Sequence, residues 1–279
     1  MSAQTCLTAP SCSGSFSYAP PSPSALVSDF DVFGLPYAAD PTDKRDVDAC
    51  KDKWERVEER KAGNKQLPKS TWGEDLTVYD NYFGGKLKGG GGFYLELGGF
   101  DGVAESNSRF YERCLGWSGL LIEASPVMFP KLMENRPLAH RMNLAPTCED
   151  DGDETVTFLP SKYTNAMIYD PTNPNHVKFS SNTVDVHCGP LKAYLAALGI
   201  SHIDFFSLDV EGAELLVLRQ FDFSAVTVDV VIVESSNVYH KADEGDNLEI
   251  RRIMGENGFV LNTELVEKSD VYMREGFVI

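Results

Sequence analysis

Acidic side chains stand beside bare backbone in the stretch FYLELGGFDGVAESNS, residues 93–108, where Glu96 precedes Gly98, Gly99 and Gly102. A glycine turn at the end of an apolar strand lets a nucleotide-like ligand lie against the main chain, because no Cβ intervenes. A second acidic residue, Glu123, ends the run GLLIEASP about twenty residues beyond Gly102, the separation at which a carboxylate can accept both hydroxyl hydrogens of a ribose. Together these features suit an adenosine-containing cofactor. The plainer alternative is a tight turn followed by a surface glutamate. Glu96 bears on which cofactor it is: a carboxylate ahead of the turn repels a pyrophosphate, which disfavours NAD, and suits a ligand carrying an ammonium and a sulfonium. S-adenosylmethionine is such a ligand.

A turn of this kind needs a parallel sheet behind it. From about residue 70, short apolar runs alternate with amphipathic segments: GFYLEL, SRFYERCLG, GLLIEA, VMFPKLMEN, AHRMNLA, TVTFLP, LKAYLAALG, IDFFSLDV, AELLVLRQF, VDVVIVES and LEIRRIMGENG. Strands separated by helices predict βαβ units and a mostly parallel sheet in one domain over residues 70–279. Ser106 or Asn107 is expected to cap the helix that follows the glycine turn. The polar stretch 161–183 fits no element and reads as a substrate lid or a surface loop. Residues 46–69 are charged and read as a helical linker, while residues 1–45 are rich in Ser, Ala and Pro without periodicity. Such an arm is expected to order against a protein partner.

Composition removes several function classes. The formal net charge is -17 and the pI about 4.6, with no basic stripe, so nucleic acid is a poor partner. No apolar run has the length of a membrane span, and the first residues read as neither a signal nor a transit peptide, which leaves the localisation unassigned. The six cysteines are too few for a disulfide framework in a chain of 279 residues. Most are expected to be unpaired or buried thiols, although Cys148 and Cys188 could bridge neighbouring loops in an oxidising compartment.

The segment IDFFSLDVEGAELLVL, residues 203–218, resembles the hallmark of the FkbM-type methyltransferases, in which a strand ends in Asp-Val-Glu-Gly-Ala-Glu. STWGEDLTVYDNYF, ELGGFDGVAESNS, GWSGLLIEASP and VDVVIVES follow the family's order around it. The resemblance covers roughly residues 70–275. It implies a class I methyltransferase (Rossmann-like) α/β fold with a seven-stranded, mostly parallel sheet and an antiparallel last strand, here preceded by the extended arm. It also implies S-adenosylmethionine as cofactor and O-methylation of a sugar, glycan or small-metabolite hydroxyl. Carried onto this chain, Glu96, Gly98, Gly99 and Gly102 would bind the methionine half of the cofactor, Glu123 the ribose, and Asp209 would face the methyl group. Two positions depart from many relatives: Glu96 stands where they have Asp, and Ser207 where they have Lys.

Removal of the hydroxyl proton falls to Asp209 first and Glu211 second, with Glu234 positioning substrate. Glu211 and Glu214 could equally act as charges at a helix N-terminus. His187, His202 and His240 are further bases that no pattern ties to the pocket. No metal is expected, since no His/Cys/Asp group has ligand spacing, yet carboxylates near Asp209 could hold magnesium. The competing reading is a catalytically silent subunit that keeps the fold and serves as a binding component of a larger assembly.

Overall fold

The structure is a computed structural model and describes residues 70, 72–84, 91–148, 155–235 and 244–277. The expected arm, the charged linker and His240 lie outside the described residues. Among the described residues a seven-stranded sheet has the order β3-β2-β1-β7-β8-β10-β9. Its strands are β1 (Phe93–Leu97), β2 (Ser118–Ile122), β3 (His140–Met142), β7 (His202–Leu208), β8 (Thr227–Glu234), β9 (Phe259–Val266) and β10 (Ser269–Arg274). Neighbours from β3 to β8 are parallel, and β10 runs antiparallel to both β8 and β9. The expected fold class is therefore present, with the antiparallel strand inserted between β8 and β9. No described helix is long and apolar enough to cross a membrane.

Apolar residues line both faces of the central strands, as a sheet covered on two sides requires. Leu95, Leu97, Phe206, Leu208, Val231 and Val233 join one core. Tyr94, Phe205, Val230 and Ile232 join the other, where Tyr111 stacks on Phe205 at 4.7 Å. Each such side chain withdrawn from water contributes roughly 1.5–3 kcal/mol. Helices α1 (Glu74–Val78), α2 (Phe129–Asn135), α3 (Pro174–Val177), α4 (Leu191–Ala197), α5 (Glu214–Gln220) and α6 (Glu244–Glu256) complete the chain, with π-helical turns at Tyr79–Phe83 and Tyr111–Leu115.

Beneath the loop that follows β1 lies a buried polar network. Arg136, fully buried, donates to Glu112 Oε2 (3.0 Å), Tyr94 Oη (2.9 Å), Ser106 Oγ (3.0 Å), Ser108 Oγ (3.1 Å) and the Gly102 carbonyl (3.2 Å). Its Nη1 stands 3.9 Å from Glu96. Glu96 in turn accepts from Ser106 Oγ (2.9 Å), the Asn107 amide (2.8 Å) and Ser108 Oγ. Ser106 and Asn107 therefore spend their side chains on Glu96, Arg136 and Ser207 rather than on a helix cap.

TVTFLP departs from expectation. It forms β4 (Thr155–Leu159) of a separate antiparallel sheet with β5 (Met167–Ile168) and β6 (Val184–His187), in the order β5-β4-β6. Nor is the stretch 161–183 a plain loop, since it contains β5, α3 and a 3-10 turn at Ser180–Asn182. Phe158 and Val186 of this sheet pack with Ala145 and Cys188. A Cys148–Cys188 disulfide, with Cα atoms 5.6 Å apart, ties the sheet's end to the loop after β3, and Cys114 is disulfide-bonded too. The bridge named as the alternative for Cys148 and Cys188 is thus present, and the expectation of an unpaired thiol fails at Cys114.

The bond closes a loop of 40 residues, and a loop of that order restricts the unfolded chain by about 3–4 kcal/mol. Cys188→Ser should lower the unfolding free energy by most of that amount in urea titrations without reductant. Arg136→Met strands Glu112 and Glu96 as buried charges and should cost about 3–5 kcal/mol, read in the same titration.

Candidate active site

Strand order reverses beside β1, because β2 and β3 build outward on one side and β7 and β8 on the other. Ligands in such sheets bind beyond the carboxyl ends of the strands at this point. A cleft of about 230 Å³ lies there, walled by the loops after β1, β2, β7 and β8 and roofed by Phe158, Thr164, Ala166 and Ile168 of the small sheet.

Gly98 has φ +84°, and a Cβ on it would stand 1.7 Å from the Asp209 carbonyl oxygen. The loops after β1 and β7 can meet only because that atom is missing, and the Asp209 amide donates to the Leu97 carbonyl at 3.2 Å. Gly98 borders the cleft. Gly99 and Gly102 do not: their missing side chains make room for Leu132 and Arg136. The structure likewise places Glu96 under the loop, 3% exposed and satisfied by its serines and the Asn107 amide, rather than on the cleft wall.

Glu123 does border the cleft at the end of β2. It accepts the Phe100 amide at 2.7 Å and the Ser125 amide at 2.6 Å. Burial pushes its carboxyl up to about 7, against the pull of those two amides.

Asp209 follows the end of β7 and Glu234 is the last residue of the adjacent β8, where Leu208 pairs with Val233. Their carboxylate oxygens lie within 4.8 Å of each other. Burial, with the charges of Glu234, Glu211 and Glu214 nearby, raises Asp209 well above the usual carboxylate range. Burial and the charge of Glu214 raise Glu234 to about 7. Two acids so close cannot both ionise easily, so the pair favours the protonated form. Glu211 borders the cleft at φ 55°, a strained conformation for a residue with a side chain. Glu214, in contrast, is turned back to accept the Val210 and Gly212 amides at 2.9 and 3.1 Å, which holds the Asp209 loop in shape. Oxygens of Asp209, Glu214 and Glu234 lie within 4.8 Å of one another, a spacing open to a hard cation. His187 and His202 do not border the cleft; His202 begins β7, at the end opposite Asp209.

Sequence reasoning passed over several residues of the wall. Asn107 is 7% exposed and donates through Nδ2 to Ser207 Oγ at 2.9 Å, while its Oδ1 has no hydrogen-bond partner among the described residues. Trp72, just ahead of α1, and Glu74, the first residue of α1, reach the cleft, and Lys268 enters it from the β9–β10 turn. The Lys268 ammonium sits 4.5 Å from the Trp72 ring centroid and is the only basic group among the described residues that line the cleft. No short-range pattern links residues almost two hundred positions apart, although Trp72 and Glu74 fall in a segment already quoted as family-like.

No curated protein matches the chain. Among solved structures, it is similar to a TehB-like S-adenosylmethionine-dependent methyltransferase from Corynebacterium glutamicum ATCC 13032 Kitasato: 9% identity, TM-score 0.40, 82% of this chain and 98% of that one covered. Fibrillarin from Aeropyrum pernix, solved with natively bound S-adenosyl-L-methionine, matches at 11% identity and TM-score 0.39 over 71% of each chain. The methyltransferase FkbM of Methylobacillus flagellatus KT matches at 14% identity and TM-score 0.39, over 70% of this chain and 47% of its own. The sequence profile of the methyltransferase FkbM domain matches residues 96–261, more than half of the chain. That match takes in the glycine turn, Glu123 and the Asp209 strand end, and by it the chain belongs to the FkbM methyltransferase family.

Proposed function

We propose that the chain transfers the methyl group of S-adenosylmethionine to a hydroxyl of a sugar, glycan or small metabolite, with Asp209 and Glu234 as the acceptor's proton-handling pair. The observation that carries this reading is the Asp209–Glu234 carboxylate pair, whose oxygens lie within 4.8 Å of each other on the cleft wall. A methyl acceptor must lose a proton as its oxygen attacks, and a base half-ionised near neutral pH suits that task. Glu211 is the second candidate, on the same wall.

The cofactor fits the cleft on the structure's own terms. Asn107 Oδ1 is a buried acceptor in search of a donor, which the α-ammonium of the methionine half supplies. Gly98 offers bare backbone beside it. Glu123 spends one lone pair of each oxygen on an amide and keeps the others for two ribose hydroxyls. Glu96, Gly99 and Gly102 act through the loop they hold, without touching the cofactor. When bound, S-adenosylmethionine supplies an electrophilic methyl on a positively charged sulfur. The protein's part is alignment of the acceptor oxygen with that carbon and removal of the proton. Lys268 brings a positive charge to the cleft where Ser207, buried and bonded to Asn107, brings none. The open cleft favours this reading over a silent scaffold.

Calorimetry with S-adenosylmethionine and its demethylated product tests the first half, and methyl transfer to a panel of hydroxylated acceptors the second. Asp209→Asn should leave cofactor affinity nearly intact and lower kcat by about a hundredfold or more; an unchanged rate would remove Asp209 from the mechanism.

A pH prediction follows from Glu234. Its carboxyl is raised from an ordinary 4.5 to about 7 by burial first and the charge of Glu214 second. The folded chain therefore holds more protons than the unfolded chain between those values, so stability declines as pH rises through that window. Thermal melts of the ligand-free protein should show the decline, and Glu234→Gln should flatten it. The rate of methyl transfer should move the other way, rising as pH passes about 7.

A further inference from the structure

The segment 160–168 is a partition with a cavity on either side. In the small sheet Phe158 pairs with Ile168 and Leu159 with Met167, so each pair shares one face. Phe158, Thr164, Ala166 and Ile168 turn toward the cleft described above. Leu159, Ser161, Asn165 and Met167 turn the other way. There they close with residues 173–182 around a second cavity of about 450 Å³.

The two cavities have opposite chemistry. Glu74, Glu105, Glu123, Asp209, Glu211 and Glu234 line the first. No carboxylate lines the second, whose polar wall carries Asn165, Asn173, Asn175 and Asn182 together with Ser161, His176 and Lys178. Several amide oxygens are already engaged within the wall. Asn165 Oδ1 accepts from Ser161 Oγ at 2.8 Å, Asn173 Oδ1 from the Asn175 amide at 2.9 Å, and Asn175 Oδ1 from Lys178 at 3.4 Å. With those oxygens taken, the NH₂ groups of Asn165, Asn173 and Asn175 are the amide atoms that can donate to a ligand. Leu159, Met167 and Phe179 supply the apolar wall, and Phe179 remains 56% exposed.

We propose that this groove is a second ligand site and that it takes a neutral glycan. A sugar ring has an apolar face for Phe179 and hydroxyls that can accept from several fixed amides at once. A compact anion would find one lysine and a buried histidine whose Nδ1 already accepts the Asp170 amide, in a chain of net charge -17. The site stands apart from the methyl-transfer reading, and its ligand binds in the absence of any methyl donor.

The test is calorimetry on the full chain with maltotriose, cellotriose, mannotriose and chitotriose, without S-adenosylmethionine. At least one should bind saturably. Phe179→Ala should weaken that binding by about tenfold and Asn182→Ala by about three- to tenfold, while Asp209→Asn leaves it unchanged. Both groove positions are exposed, so melts of these variants should match the parent. No saturable binding by any of the four up to tens of millimolar overturns the proposal. So does binding that is lost in Asp209→Asn and kept in Phe179→Ala, since the sugar then occupies the cleft; so does heat from sulfate or an unstructured peptide that depends on Phe179 when none of the sugars gives any. Failure of the methyl-transfer reading has a different signature, an absence of heat with S-adenosylmethionine that leaves the trisaccharide result as it is.

Discussion

Arg136 carries a charge into the interior, and the shape of the cleft depends on how that charge is met. Burying a guanidinium is costly unless anions and acceptors surround it. Here Glu112 and Glu96 supply the charge, and Tyr94, two serines and the Gly102 carbonyl take the remaining hydrogens. The same Glu96 accepts the Asn107 amide, so the loop after β1 is held at both ends by one network. A loop held in this way presents Gly98 and Asn107 to the cleft without rearrangement, which spares a ligand the cost of ordering them. Gly102 belongs to the same constraint, because any side chain there would meet the Arg136 stem.

On the other side of the cleft the constraint is repulsion rather than attraction. Asp209, Glu211 and Glu234 border it together, and Glu214 withdraws from it by capping its own loop. Glu214 thereby does two things: it fixes the turn that carries Asp209, and its charge helps push Glu234 up. The strained Glu211 backbone belongs to that turn as well. The raised carboxyls of Asp209 and Glu234 are thus a consequence of backbone geometry and burial, and not of either residue alone.

The parallel sheet, its antiparallel strand and the strand ends that carry Glu123 and Asp209 were legible in the sequence. Apolar runs separated by amphipathic segments have few ways to fold, and family-like segments mark the turns. Glu96 lies under the loop rather than on the cleft wall, for a physical reason: an acidic residue before a glycine turn reads as a ligand contact until Arg136, forty residues away, is seen to claim its surroundings. Gly99 and Gly102 likewise stand against Leu132 and Arg136, since missing side chains can make room for a helix as readily as for a ligand. Trp72 and Lys268 were invisible as a pair, because the β9–β10 turn brings together residues that no local pattern joins.

The small sheet was the largest omission, and its origin explains why. TVTFLP has the composition of any strand of the main sheet, and which sheet it joins is decided by pairings with Met167–Ile168 and Val184–His187. Those partners sit in a polar segment with weak apolar character, so neither periodicity nor composition announces them. Phe158, Val186 and Cys188 are enough to anchor the sheet against Ala145, and the disulfide removes much of the remaining freedom. Disulfides persist in oxidising surroundings, so the unit that roofs the cleft is rigid where the bond is kept. A rigid roof one strand thick has two usable faces. Alternation along 160–168 gives the inner face to the cleft and the outer face to the asparagine groove, and a residue change on one face need not disturb the other.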